Sequence, residues 1–80
     1  MELIRLYNID GCGYCAMVRS HLDRMGIEYE KIDVPWPHHL RKQVMEISGQ
    51  TTVPVLVDDD VVLSDENDII EYLNKTYANS

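Results

Sequence analysis

Polar and apolar residues change places along this chain at two different periods, and each period predicts an element. Glu2 to Asn8, ELIRLYN, alternates imperfectly but is short and largely apolar, as a mostly buried strand would be. Asp10-Gly11 is a turn signal. From about Gly13 to Met25, Val18, Leu22 and Met25 recur at helical spacing, with Tyr14 and Met17 near that face and Arg19, Asp23 and Arg24 mostly off it. Gly26 follows where a helix end favours a residue that accepts positive φ. IEYEKIDV alternates Ile27, Tyr29 and Lys31 against Glu28, Glu30 and Ile32; the alternation is blurred, but its β-formers and flanking turns predict a strand.

Pro35-Trp36-Pro37 can continue neither a helix nor a central strand and predicts a linker. HHLRKQVMEIS brings Leu40, Val44 and Ile47 to one face of a second helix that stops near Gly49. VPVLVDD predicts a strand, Asp58-Asp59-Asp60 a turn and VVL a short strand returning as a hairpin. Ser64 or Asp65 is placed to cap a last helix, ENDIIEYLNKTY, with Ile69, Ile70, Leu73 and Tyr77 on its apolar face. The order is β-α-β-α-β-β-α. A helix-linked strand pair is expected to be parallel with a right-handed crossover, and the hairpin pair antiparallel. The fold class that buries these faces is a single α/β domain over residues 1–80, a four-stranded mixed sheet flanked by three helices.

Charge narrows the partners. Seven basic residues stand against fourteen acidic ones, for a net charge of −7. Nucleic acid, whose phosphates call for basic neutralisation, and anionic membrane surfaces are disfavoured. The same excess suits solubility in general, or a high-salt setting where screening makes many carboxylates tolerable. No apolar run is long enough to span a bilayer. MELIRLYNID has an acid at its second position and no small-residue cleavage site, so it reads as a first strand and not a secretory leader. Two cysteines without a leader suggest a cytoplasmic setting, where a close pair is more often catalytic or metal-binding than a structural staple.

That pair, Cys12 and Cys15, lies at a predicted strand-to-helix junction. At the first helical turn, unpaired amides and the positive end of the dipole favour a thiolate at Cys12, while Cys15 sits one turn on and is drawn inward. Two ordinary buried cysteines are one alternative. A zinc site is another, but it needs four ligands and the remaining candidates are His21, His38 and His39, two of them adjacent and divergent in direction. Pro54 opens a strand, a position that need not donate to the ladder.

Cys12-Gly13-Tyr14-Cys15 at such a junction, Thr52-Val53-Pro54 at a later strand start and the element order together resemble a glutaredoxin, within the thioredoxin-like fold. The resemblance runs from Leu3 to about Leu73. It implies a glutathione-dependent thiol–disulfide oxidoreductase that reduces protein disulfides or protein–glutathione mixed disulfides. In that reading Cys12 is the nucleophile, and Cys15 resolves the mixed disulfide in a redox-active, electron-transporting centre. It further implies a cis Val53–Pro54 bond, with the Val53 N–H and C=O offered to a peptide-like substrate, Thr52 lining that edge and Tyr14 flanking the cleft. Amides near Glu66 and Asn67 would bind the γ-glutamyl carboxylate of glutathione and Asp68 its ammonium. Glutathione is then a co-substrate, no metal is required, and the protein acts as a monomer on disulfide-containing or glutathionylated proteins.

Several residues depart from that family's pattern. Gly13 replaces the usual proline of the motif, and Asn8, Asp10 and Gly11 stand where a basic residue often precedes the first cysteine. Arg41, Lys42 or Gln43 are the alternative contacts for a carboxylate. Ser64-Asp65 stands where a Gly-Gly pair is usual. The segment LSDENDIIEYL also resembles the corresponding part of glutathione transferase N-terminal domains, where an acid followed by serine holds the γ-glutamyl group. Asp65 matches that acid, and Glu66 replaces the serine. Two other readings stay open: an iron–sulfur carrier using Cys12 and glutathione in a dimer, and a glutathione-independent thioredoxin-like electron donor.

Overall fold

In a computed structural model that describes residues 3–35, 41–50 and 53–77, the elements are β1 (Ile4–Asn8), α1 (Gly13–Met25), β2 (Tyr29–Asp33), α2 (Lys42–Ser48), β3 (Val55–Asp58), β4 (Val61–Leu63) and α3 (Glu66–Tyr77). The expected roles of Thr52, Trp36, Pro37, His38, His39 and Leu40 fall outside the described residues. The sheet runs β2-β1-β3-β4. β1 and β2 are parallel, from Ile4 opposite Tyr29 to Asn8 opposite Asp33, while β3 is antiparallel to both β1 and β4.

Position in the sheet explains the uneven alternation. The central strands β1 and β3 are covered on both faces, so Leu6 and Tyr7, like Val55, Leu56 and Val57, are all buried. β2 is an edge strand, and Glu30, Lys31 and Asp33 face solvent along it. Successive residues point to opposite faces and so build two separate clusters. On one face, Ile4, Leu6 and Leu56 meet Val18 and Leu22 of α1 and Ile69 and Leu73 of α3. On the other, Tyr7, Ile9, Val55 and Val57 meet Val34 and Val44.

Element ends differ from expectation for local reasons. β3 begins at Val55, not Val53, because Pro54 has no N–H to give the ladder. Within α1 the buried stripe is Cys15, Val18 and Leu22, whereas Tyr14 and Met17 are exposed. Gly26 and Gly49 close α1 and α2 at φ 69° and 77°, the left-handed region that favours glycine. In α3 the buried pair is Ile69 and Leu73, and Ile70 is half-buried. Tyr77 leaves the core altogether: its hydroxyl and that of Tyr72 both donate to Asp58 Oδ2 at 2.6 Å, with the two rings edge to face at 6.5 Å. That shared carboxylate ties the end of α3 to the β3–β4 hairpin. The bond to Asp58 is the main cause that pushes the Tyr77 hydroxyl up to about 12, and burial is the main cause that raises Tyr72. Among the described residues, no helix is long and apolar enough to cross a membrane.

Candidate functional site

The chain leaves β1 through a tight turn. Gly11 takes φ 90°, and the Cys12 N–H donates back to the Ile9 carbonyl at 3.2 Å. Cys12, at φ −87° and ψ 117°, is the N-cap of α1, and its Sγ accepts the Cys15 N–H at 3.3 Å. A sulfur thus takes the capping role that an oxygen usually fills. Cys12 is half-buried and Cys15 fully buried. Burial, reinforced by the hydrogen bond to Cys12, pushes the Cys15 thiol up to about 12, so it stays protonated at neutral pH.

Beneath this turn lies a polar group that the periodic pattern does not announce. Asn8, fully buried at the end of β1, donates from Nδ2 to Asp33 at 2.9 Å and to Asp10 at 3.5 Å, and its Oδ1 accepts from Arg19 of α1. One amide therefore joins β1, β2, the Cys12 turn and α1. Arg19 also lies close enough to Cys15 for its positive charge to favour the thiolate there, in opposition to the effect of burial. The signals available in sequence were an Asn ending an otherwise apolar strand and an Arg off the apolar stripe; neither identifies the other as partner.

Across the site, Pro54 is buried and the Val53–Pro54 bond is cis. Val53 and Cys12 pack against the same apolar cluster, so the start of β3 and the start of α1 share one surface. Tyr14 stands exposed beside them, at 57% of its full accessibility. At α3, Asp65 Oδ1 accepts the N–H groups of Asn67 at 2.8 Å and Asp68 at 3.2 Å. Those helix-start amides are thus engaged by the chain's own carboxylate. Asp65, Asn67 and Asp68 are exposed and Glu66 half-buried, and no hydrogen bond between described residues joins this helix start to Cys12. Arg41 is the N-cap of α2 and donates from Nε to the Pro35 carbonyl at 2.8 Å, while Lys42 is exposed. A groove of about 370 Å³ runs along α1 from Gly13, with Met17 and Ile70 among its walls.

Among the described residues, no group of three or more His, Cys, Asp and Glu side chains could hold a metal ion. His21 is occupied otherwise: its Nε2 lies 2.8 Å from Asn74 Oδ1 and its Nδ1 3.3 Å from Arg24, which links α1 to α3.

A profile of the family described as "Glutathione S-transferase, N-terminal domain" matches residues 6–80. The chain belongs to that family. Among its relatives, a stringent starvation protein A homolog of Pasteurella multocida is 38% identical over 64 residues, covering 80% of this chain and 30% of that protein. The Gene 56 protein of Mycobacterium phage D29 is 30% identical over 56 residues, covering 70% and 62%. A glutathione transferase homolog from Drosophila mojavensis, solved with bound glutathione, superposes with a TM-score of 0.90 at 26% identity over 100% of this chain and 37% of its own. Glutathione transferase E6 of Drosophila melanogaster gives 0.87 at 30% identity, over 96% and 36%. The chain therefore spans about a third of the length of several of the proteins it matches.

This family membership overturns the glutaredoxin assignment. With it go the reading as a thiol–disulfide oxidoreductase, the Cys12–Cys15 redox-active disulfide and the electron-transport role. The thioredoxin-like β-α-β-α-β-β-α fold stands, and it matches the N-terminal domain of that family. The error has a physical origin. A polar motif at the β1–α1 junction and a proline before β3 mark where this scaffold exposes backbone, and branches with different chemistry share that scaffold. At the start of α3 the sequence resembles the transferase pattern at Asp65 and departs from it at Glu66.

Proposed function

We propose that this domain binds glutathione and presents the glutathione thiol at the start of α1, as the glutathione-holding half of a transferase-type site. The observation that carries the reading is the family match over residues 6–80. The superposition of the whole chain on a transferase homolog with bound glutathione supports it. In this reading the tripeptide lies across the surface shared by the starts of α1 and β3. Its cysteinyl backbone pairs with the Val53 main chain beside buried Pro54, and its sulfur comes to rest near Cys12 and Tyr14.

The γ-glutamyl end reaches the start of α3. Asp65 is fixed there by two backbone N–H groups, so its carboxylate is a pre-positioned partner for the α-ammonium group. Asp68 and Asn67 stand exposed on the same turn, and Glu66 bounds it. Lys42 is the exposed cation for the glycyl carboxylate, since the Arg41 guanidinium is already engaged with Pro35. Reaction then belongs to the sulfur of glutathione. It forms a carbon–sulfur bond to an electrophile, the leaving group departs with the electron pair, and the thiol proton passes to solvent. The positive end of α1 stabilises the thiolate on the way.

Calorimetric titration with glutathione, alongside conjugation of 1-chloro-2,4-dinitrobenzene followed by mass spectrometry of the thioether product, tests this. One equivalent of glutathione is expected to bind, with Asp65→Ala weakening it. A protein that shows no binding heat and passes unretained through a glutathione-coupled matrix refutes the proposal.

A further inference from the structure

The glutathione-binding reading leaves Cys15 without a task, although it sits one turn from a second cysteine at the same helix start. Its N–H donates to Cys12 Sγ at 3.3 Å, so the Cys12 sulfur lies against the residue that carries the second thiol. The two cysteines thus sit together at one helix start, Cys15 buried and Cys12 half-buried against the apolar cluster of Tyr7 and Ile9. Arg19 brings a positive charge toward Cys15 and is itself held by the buried Asn8.

We infer that Cys12 and Cys15 form a two-coordinate site for a soft monovalent d10 cation, Cu(I) or Ag(I). Thiolate donors select soft ions, and such an ion is satisfied by two of them in a linear arrangement. Zinc is a poorer fit: it calls for four ligands, and among the described residues no third His, Cys, Asp or Glu joins the pair. The charge also closes. Two thiolates and one monovalent cation carry a net −1, which the Arg19 guanidinium and the Cys15 N–H are placed to offset. Binding breaks two S–H bonds, forms two metal–sulfur bonds and releases two protons to solvent, and no electron changes hands. Asn8 and Arg19 act as positioning residues, one orienting the other toward the sulfurs.

The test is anaerobic titration of the metal-free protein, without glutathione, with Cu(I) in competition with bicinchoninate. Calorimetry with Ag(I) serves as the redox-inert counterpart, and X-ray absorption on the loaded wild type counts sulfur ligands. One equivalent with two sulfur neighbours is expected, and Cys12→Ser or Cys15→Ser abolishes it. Arg19→Gln weakens it by about 10–100-fold, while Arg19→Lys restores most of the affinity. Retention of full affinity by either serine variant, nitrogen or oxygen neighbours in the absorption spectrum, or preference for Zn(II) over both soft ions overturns the inference. Cys12→Ser keeps a capping side chain on a half-buried position, so loss there cannot be dismissed as unfolding if its circular dichroism matches wild type. Glutathione binding by Cys15→Ser is expected to persist, which separates failure of the metal site from failure of the glutathione reading.

Discussion

Asn8→Ala is the most exacting test of how the site is held. The side chain is fully buried and makes hydrogen bonds to three groups, two of them carboxylates and one a guanidinium. The contact to Asp10, at 3.5 Å, is at the limit and contributes little. The bonds to Asp33 and Arg19 are charge-assisted, a class in which each contributes about 1.5–3 kcal/mol. Asp33 is exposed and Arg19 half-buried, so both recover water on truncation, and the lower end of that range applies. The expected cost is about 2–3 kcal/mol. A chain of this size has a total stability of about 4–12 kcal/mol. The melting temperature should therefore fall by roughly 10–20 °C. Urea denaturation followed by circular dichroism measures it, with an unchanged slope showing that the folded and unfolded states remain comparable. A double-mutant cycle with Arg19→Ala should show coupling of about 1 kcal/mol or more. A loss below ~0.5 kcal/mol for Asn8→Ala, the range of an ordinary surface change, would refute the idea that this amide organises the Cys12 turn.

Other consequences are as direct. Asp65→Ala removes the cap from α3 and should cost about 1 kcal/mol in urea denaturation, whereas Asp65→Asn should cost much less. Iodoacetamide at neutral pH should alkylate Cys12 well before Cys15, because Cys15 is buried and its thiol is pushed up to about 12; equal rates by mass spectrometry would contradict this. The same rise has a sign for stability. The folded state holds the Cys15 proton more tightly than the unfolded chain, whose value is near 9.0, so this contribution is complete below that pH and is lost as pH climbs toward about 12. Tyr77 behaves alike: an ultraviolet titration should show one tyrosine ionising near 12, above the ordinary value of 10.0, and Asp58→Asn should return it toward that value.

The periods of the chain carried most of the architecture. Val18 and Leu22 one turn apart, the unbroken run Val55-Leu56-Val57, the stops at Gly26 and Gly49 and the cap at Asp65 follow from local rules that need no distant partner. They suffice for the element order, for the position of Cys12 at the head of α1 and for the inward turn of Cys15. The choice between branches of the fold was less accessible. Cys-Gly-Tyr-Cys and Val-Pro dominate the eye, while the acid at the head of α3 that matches the transferase pattern is one residue in a helix-start cluster that any helix would tolerate.

Only the tertiary structure decided who meets whom. Arg19, off the apolar stripe of α1, reaches back eleven residues to Asn8, and Asn8 in turn reaches Asp33, twenty-five residues on. Tyr77 leaves the core for Asp58, and His21 is taken by Asn74, fifty-three residues away. Val53 and Cys12 come to one cluster because β3 pairs beside β1. A hydrophobic period reports which side of an element is buried. It carries no information about what lies opposite, because that depends on strand order and register, and polar partners are chosen only once the apolar faces have been brought together.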